Sequence, residues 1–129
     1  MKKQGILNAQ LAGLIASLGH TDLLVVADAG LPVPPGVQCI DLAVRCGVPS
    51  FADVLAAIAD DVQVEQILIA SEAAEHGVPD EVSALFPGVP VDYLPHERFK
   101  AQTARARVVV RTGECTPYHN VILQAGVVF

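Results

Sequence analysis

At 129 residues the chain has the length of one domain, and with 52% hydrophobic residues, 5% aromatics and no tryptophan it should bury a close-packed aliphatic core. A formal net charge of −6 lacks the concentrated positive footprint that nucleic acid or an anionic membrane surface requires, and no apolar run approaches the length of a membrane span. The three cysteines, Cys39, Cys46 and Cys115, are odd in number and show no C-x-x-C spacing. They suggest neither a disulfide framework nor a zinc site, and reduced thiols in the cytoplasm fit best.

The start, Met1-Lys2-Lys3 and a partly apolar stretch, is interrupted by Asn8 and Gln10 and lacks a small-residue cleavage pattern, so it does not read as a secretion signal. Asn8 is a good N-cap, Leu11, Leu14, Ile15 and Leu18 recur at helical spacing, and Gly19 supplies a stop, which predicts a helix over residues 9–18. His20 follows immediately, where it would interact with the last carbonyls of that helix. The apolar run Leu23 to Ala27 predicts a buried strand that delivers Asp28 just past its carboxyl end, the place where open α/β sheets put their ligands. Gly30 allows a sharp backbone course, and Pro32, Pro34 and Pro35 stiffen the loop. Asp28 is then either a polar hook on a rigid rim or the first residue of an Asx-turn.

Cys39 to Val44 reads as a second strand, broken by Gly47-Val48-Pro49. Ser50 with Asp53 resembles a helix start, and Phe51, Val54, Leu55 and Ile58 form the buried stripe of that helix. Val64 to Ala70 reads as a third strand. Two helical pieces follow, Ser71 to Gly77 and Pro79 to Phe86, with His76 exposed among charges. Val91 to Leu94 is a fourth strand, and Pro95-His96-Glu97 opens a helix of about two turns with Phe99 on its inner face. His96 thereby stands at a helix N-terminus on the carboxyl rim, where the imidazolium is disfavoured, with Lys100 one turn further on.

Arg107 to Arg111 predicts a fifth strand that empties into a loop carrying a phenol, an imidazole and a carboxamide at Tyr118, His119 and Asn120. Val121 to Leu123 predicts the sixth strand, and the apolar end, Gln124 to Phe129, should pack rather than hang loose. Arg98, Lys100, Arg105, Arg107 and Arg111 crowd one span, as a phosphate site would, or as a solvated helix face and strand-edge charges do. The alternation of helices and strands predicts one α/β domain over residues 1–129. Its form should be a three-layer α/β/α sandwich around a mostly parallel six-stranded sheet, the last loop bringing in one antiparallel strand.

G-x-G-x-x-G, the P-loop, G-x-S-x-G and H-E-x-x-H are all missing, so nucleotide, serine-hydrolase and zinc-protease chemistry has no motif support. His20, Asp22, Asp28, His96, Glu114 and His119 show no local spacing of metal ligands. What remains is a set of histidines, a carboxylate, a tyrosine and an amide suited to acid–base work on a small polar molecule.

Five blocks occur in a particular order: Leu18-Gly19-His20-Thr21-Asp22, Asp28-Ala29-Gly30-Leu31-Pro32-Val33-Pro34, Gly47-Val48-Pro49-Ser50-Phe51, Pro95-His96-Glu97-Arg98-Phe99-Lys100 and Thr112-Gly113-Glu114-Cys115-Thr116-Pro117-Tyr118-His119-Asn120. Together they resemble the D-ribose pyranase family over Met1 to Phe129. L-fucose mutarotases share the Gly-His and Tyr-x-Asn features but differ around the loop after Asp28 and before the tyrosine. The resemblance implies a cytoplasmic isomerase that interconverts β-D-ribopyranose and β-D-ribofuranose without cofactor or metal. It implies His20 as proton donor and Asp28, His96, Tyr118 and Asn120 as sugar-binding residues, with Lys100 a basic group facing the site and His119 in a variable slot. It also implies a homo-oligomer, a decamer of two stacked pentameric rings. A mutarotase for another sugar such as L-fucose, or a non-catalytic sugar-binding accessory of ribose uptake, is the alternative.

One difficulty follows from geometry. At about 3.3 Å per residue, a straight strand puts His20 and Asp28 on the order of 20 Å apart, more than a monosaccharide spans. Either the chain bends back near Asp22, or a neighbouring subunit completes the pocket.

Overall fold

The computed structural model describes residues 1–129. Helix α1 (Ala9–Ala16) begins where Asn8, in extended backbone, accepts the Leu11 N–H at 2.9 Å, and it buries Leu11 and Leu14. It stops at Ala16, short of the predicted end, because Ser17 turns its hydroxyl back onto the Leu14 carbonyl at 2.7 Å and closes the last turn early. All five residues of β1 (Leu23–Ala27) are buried. Strand β2 (Gln38–Asp41) ends sooner than predicted, since the Asp41 carboxylate accepts the Ala43 N–H at 3.0 Å and turns the chain away.

Helix α2 (Phe51–Asp61) is capped by Ser50, whose hydroxyl accepts the Asp53 N–H, and its buried residues are the predicted stripe, Phe51, Val54, Leu55 and Ile58. Burying a side chain such as Phe51 contributes about 1.5–3 kcal/mol. Strand β3 (Val64–Ala70) runs into a 3-10 turn (Ser71–His76) and, through the left-handed Gly77, into α3 (Val78–Leu85). Then come β4 (Val91–Leu94), α4 (His96–Thr103), β5 (Val108–Arg111) and β6 (Val121–Ala125).

The six strands form one sheet in the order β2-β5-β1-β6-β3-β4. Every pairing is parallel except the two made by β6, which runs against β1 and β3. Five strands therefore point their carboxyl ends at one rim. The α/β fold with a mostly parallel sheet is as predicted, and the antiparallel strand is the one delivered by the last loop.

The two outer layers are unequal. On one face α1, α2 and α3 close a 21-residue apolar cluster that includes Leu24, Val26, Ile67 and Val110. The opposite face, with Val25, Val109 and Ile122, is covered by α4 through Phe99 and by the proline loop through Leu31, in a cluster of 8 residues. The chain end departs from expectation. The last backbone hydrogen bond that Gly126 makes is to Gln63, after which Val128 is 85% and Phe129 100% exposed. The tail runs past the sheet, where no element of the same chain lies to cover it. No helix is long and apolar enough to cross a membrane.

Candidate active site

A cleft of about 630 Å³ opens at the carboxyl rim, between the loop after β1, the start of α4 and the β5–β6 loop. Five of the six residues expected to touch a ligand line it: Asp28, His96, Lys100, Tyr118 and Asn120. His20 does not.

Asp28 makes the expected Asx-turn while lining the cleft. Its Oδ1 accepts the Gly30 N–H at 3.0 Å, the Asx-turn, while its Oδ2 accepts from Asn120 Nδ2 at 2.8 Å. Asn120 Oδ1 in turn accepts the Asp28 N–H at 2.9 Å, so a buried amide clamps both backbone and carboxylate of the rim aspartate. Each carboxylate oxygen keeps lone-pair capacity for a ligand hydroxyl.

His96 is the first residue of α4, and the Glu72 carboxylate accepts its N–H at 3.0 Å and 3.2 Å. The Glu72 N–H and the His96 N–H hold that carboxyl below its ordinary value. The His96 ring stacks on Phe99 and meets Tyr118 edge-on at 5.2 Å, and its Nδ1 is buried without a hydrogen-bond partner. Lys100 pairs with Glu97 at 2.7 Å.

Tyr118 adopts a left-handed backbone, φ 63°, a strained conformation for an aromatic residue that is found where surroundings over-determine it. Its ring lies between His96 and His76, the latter with centroid 5.5 Å away. The sequence placed His76 at the surface, whereas it is half-buried against Tyr118. No local signal joins positions 76 and 118; the contact arises because β3 and β5 empty onto the same rim. His119 resolves as a packing residue, buried, edge-on to Phe51 at 5.5 Å, with the Pro117 carbonyl 3.3 Å from Nδ1.

The β5–β6 loop is held by its own polar groups. Burial pushes the Glu114 carboxyl up, but hydrogen bonds from Thr116 and the Phe51 N–H, with the His119 ring nearby, outweigh it and leave the carboxyl below its ordinary value. Gly113 donates to Pro49 at 2.8 Å and accepts from Gly47 at 2.6 Å. A β-carbon on Gly113 would stand 2.5 Å from the Arg45 and Val48 carbonyl oxygens, so only glycine fits this approach.

Here the cysteine expectation fails. Cys46 and Cys115, 69 residues apart in sequence, are joined as a disulfide with their Cα atoms 5.7 Å apart, and only Cys39 is free. Sequence spacing did not reveal the pair because parallel pairing of β2 with β5 is what carries the two loops to the same place. The basic span disperses instead of forming a phosphate site: Arg107 pairs with Asp22 and Arg111 with Asp41, both through one guanidinium nitrogen. No three of the histidines, cysteines and acidic residues converge as metal ligands.

His20 lies at the amino rim. Strand β1 keeps unbroken register with β5 and β6, so the turn at residues 19–22 does not carry the imidazole round to the cleft. Nor does His20 cap α1. Its Nε2 is 2.9 Å from Glu65 Oε2, with 55% of the His20 side chain exposed.

The description RbsD / FucU transport protein family matches residues 1–128. The chain is 50% identical over 129 residues to a protein of Halalkalibacterium halodurans named D-ribose pyranase, and 53% identical over 131 residues to one of Exiguobacterium sibiricum of the same name, each match covering the whole of both chains. It superposes on the structure of Bacillus subtilis RbsD complexed with D-ribose with a TM-score of 0.95 and 50% identity, over all of both chains. A match along residues 1–128, on a fold shared from end to end with these proteins and with a polar cleft at its carboxyl rim, leaves one assignment: the chain belongs to the RbsD / FucU family.

Proposed function

We infer that the chain is an isomerase that interconverts the pyranose and furanose forms of D-ribose. The observation that carries the reading is the match along the whole chain, at 50% identity, to proteins named D-ribose pyranase and to a ribose-bound structure. The cleft supports it by offering a carboxylate, an imidazole, an ammonium and a phenol to a small hydroxyl-rich molecule.

Exchanging the two rings means opening a hemiacetal and closing it on another hydroxyl, and proton transfers suffice. In our reading His20 gives a proton to the ring oxygen as the bond from that oxygen to the anomeric carbon breaks, its electron pair going to the oxygen. The anomeric hydroxyl loses its proton to water and becomes the aldehyde. For reclosure the other hydroxyl adds to the aldehyde carbon and passes its proton to His20, while the carbonyl oxygen takes one from water. Charge and protons balance over the cycle, with no cofactor or metal. An imidazole, with an unperturbed pKa of about 6.5, serves in both directions near neutrality, and one positioned acid–base group contributes roughly 10²–10⁴ in rate. Asp28, His96, Lys100 and Tyr118 hold the sugar hydroxyls, and Asn120 acts largely by fixing Asp28.

Since His20 and the cleft occupy opposite rims, the working site is assembled from two copies, His20 of one reaching the cleft of its neighbour. The thin cover over the α4 face and the bare apolar tail support association. We take the assembly to be a homo-oligomer of two stacked pentameric rings acting in the cytoplasm. Saturation-transfer NMR on equilibrated D-ribose tests the reading. The protein should accelerate pyranose–furanose exchange, and L-fucose anomers should exchange more slowly at the same protein concentration. His20→Ala should lose the acceleration and still broaden ribose lines. Line broadening by the unaltered protein without faster exchange would make it a binder only.

A further inference from the structure

At the amino rim a β-bulge interrupts β3. Val64 pairs with Ala125 and Gln66 with Gln124, so Glu65 is an extra residue opposite a single step of β6. The burial of β3 records the same irregularity: Val64 and Ile67 are buried with two half-exposed residues between them, where regular alternation allows one. Bulges re-aim a side chain, and they occur preferentially beside functional groups. This one aims Glu65 at His20, with Nε2 2.9 Å from Oε2. The other carboxylate oxygen accepts from Gln124 Nε2 at 2.6 Å, so the carboxylate is held from both sides. Gly126 leaves room for it, since a β-carbon there would stand 3.0 Å from Glu65 Cβ.

We propose that Glu65 is the positioning residue for His20: bulged out of β3 and braced by Gln124, its carboxylate accepts a hydrogen bond from Nε2–H and leaves Nδ1 as the nitrogen that exchanges protons with the sugar. The inference rests on the reading of His20 as proton donor. A carboxylate on one ring nitrogen fixes the tautomer and the ring plane and favours the imidazolium that must form, the part played by the third member of a catalytic triad. The hydrogen bond from Gln124, and then that from His20, hold the Glu65 carboxyl below its ordinary value, so it is ionised when the imidazole works. The other charged groups near His20 are engaged elsewhere. Asp22, on the same turn, accepts from the Gly19 N–H and from Arg107, and Arg105, beyond α4, bonds Gln102.

The test is the exchange rate of ribose across pH for the intact assembly carrying Glu65→Gln, Glu65→Ala or Gln124→Leu, each also combined with His20→Ala. Glu65→Gln and Glu65→Ala should lower the turnover rate by at least about tenfold with ribose binding unchanged, and should move the limb reporting the protonated acid to lower pH. Gln124→Leu, which leaves Glu65 in place, should shift the limb in the same direction by less. In the His20→Ala background none of the three should cost anything more. A wild-type rate and profile in the Glu65 variants, with His20→Ala inactive, would overturn the positioning role alone. So would a further loss on adding Glu65→Ala to His20→Ala. Full activity of His20→Ala would overturn the proton-donor reading itself, and the Glu65 inference with it.

Discussion

The two rims of the sheet are built in opposite ways. At the carboxyl rim Asp28, His96, Lys100, Tyr118 and Asn120 share one cleft, Asn120 clamps Asp28, and the β5–β6 loop is tied to the β2–α2 loop by two hydrogen bonds and a disulfide. At the amino rim one half-exposed imidazole leans on one carboxylate. On the proposed reading a single chain holds recognition and proton transfer at separate ends of β1, and a second copy brings them together. Each rim carries one non-glycine residue in left-handed backbone, Tyr118 beside the tied loops and Thr21 beside His20.

The strongest way to break this comparison is complementation. Mix His20→Ala subunits with Asp28→Asn subunits under conditions that exchange them. Each parent should be nearly inactive. If cleft and imidazole come from different copies, random mixing of equal amounts restores about a quarter of the sites, those made from an intact cleft and an intact His20. Mixed assemblies no more active than the parents would mean that each site belongs to one chain.

Next in size is Gly113→Ala. The added carbon meets two backbone oxygens at 2.5 Å, which are not flexible side-chain ends that swing aside. Overpacking of this kind costs about 1–3 kcal/mol. The melting temperature should fall by several degrees, and affinity for ribose should fall with it because the loop carries Tyr118 and Asn120. The Glu65–His20 pair at the far rim should keep its pH profile, which checks that the two rims are structurally independent.

How much of this was legible in the chain divides along the same line. Elements set by local signals came out of the sequence: the Asn8 and Ser50 caps, the stripe Phe51, Val54, Leu55 and Ile58, and the bounds of β3 and β4. Asp28 was legible as a rim residue because it directly follows an apolar strand, His96 because it opens a helix just past β4, and Tyr118 to Asn120 because they sit in the loop that β5 empties into. What stayed hidden depends on neighbours distant in sequence. The Cys46–Cys115 bond, the packing of His76 on Tyr118 and the bulge at Glu65 are consequences of strand order, which no single segment encodes. The exposed tail was misread because its apolar residues were given a partner in their own chain.

Acid should act on both rims, though through different carboxylates. Glu114 and Glu65 each have a carboxyl held below its ordinary value in the fold, so each contributes stability that is fully present above the unfolded value of 4.5 and is lost as pH falls through the depressed folded value. Thermal melts should therefore show stability declining as the pH drops below 4.5. Glu114→Gln should flatten that decline and lower stability at neutral pH, since an amide oxygen accepts the Thr116 and Phe51 N–H bonds more weakly than a carboxylate. Glu65→Gln should flatten it too, with the cleft's ribose affinity untouched.

The smallest effect is expected from Cys46→Ser. A disulfide closing a long loop contributes about 2–4 kcal/mol when the unfolded chain is also cross-linked, but a reducing thiol pool opens such bonds. The loop pair must then hold without it, through Gly47 to Gly113 and Gly113 to Pro49 at 2.6 Å and 2.8 Å and through Glu114 to the Phe51 N–H. Exchange activity of Cys46→Ser, or of the unaltered protein in excess dithiothreitol, should match the oxidised protein within about twofold, while the oxidised form melts higher. A large loss of ribose affinity on reduction would show instead that the disulfide, and not the glycine contacts, sets the shape of the carboxyl rim.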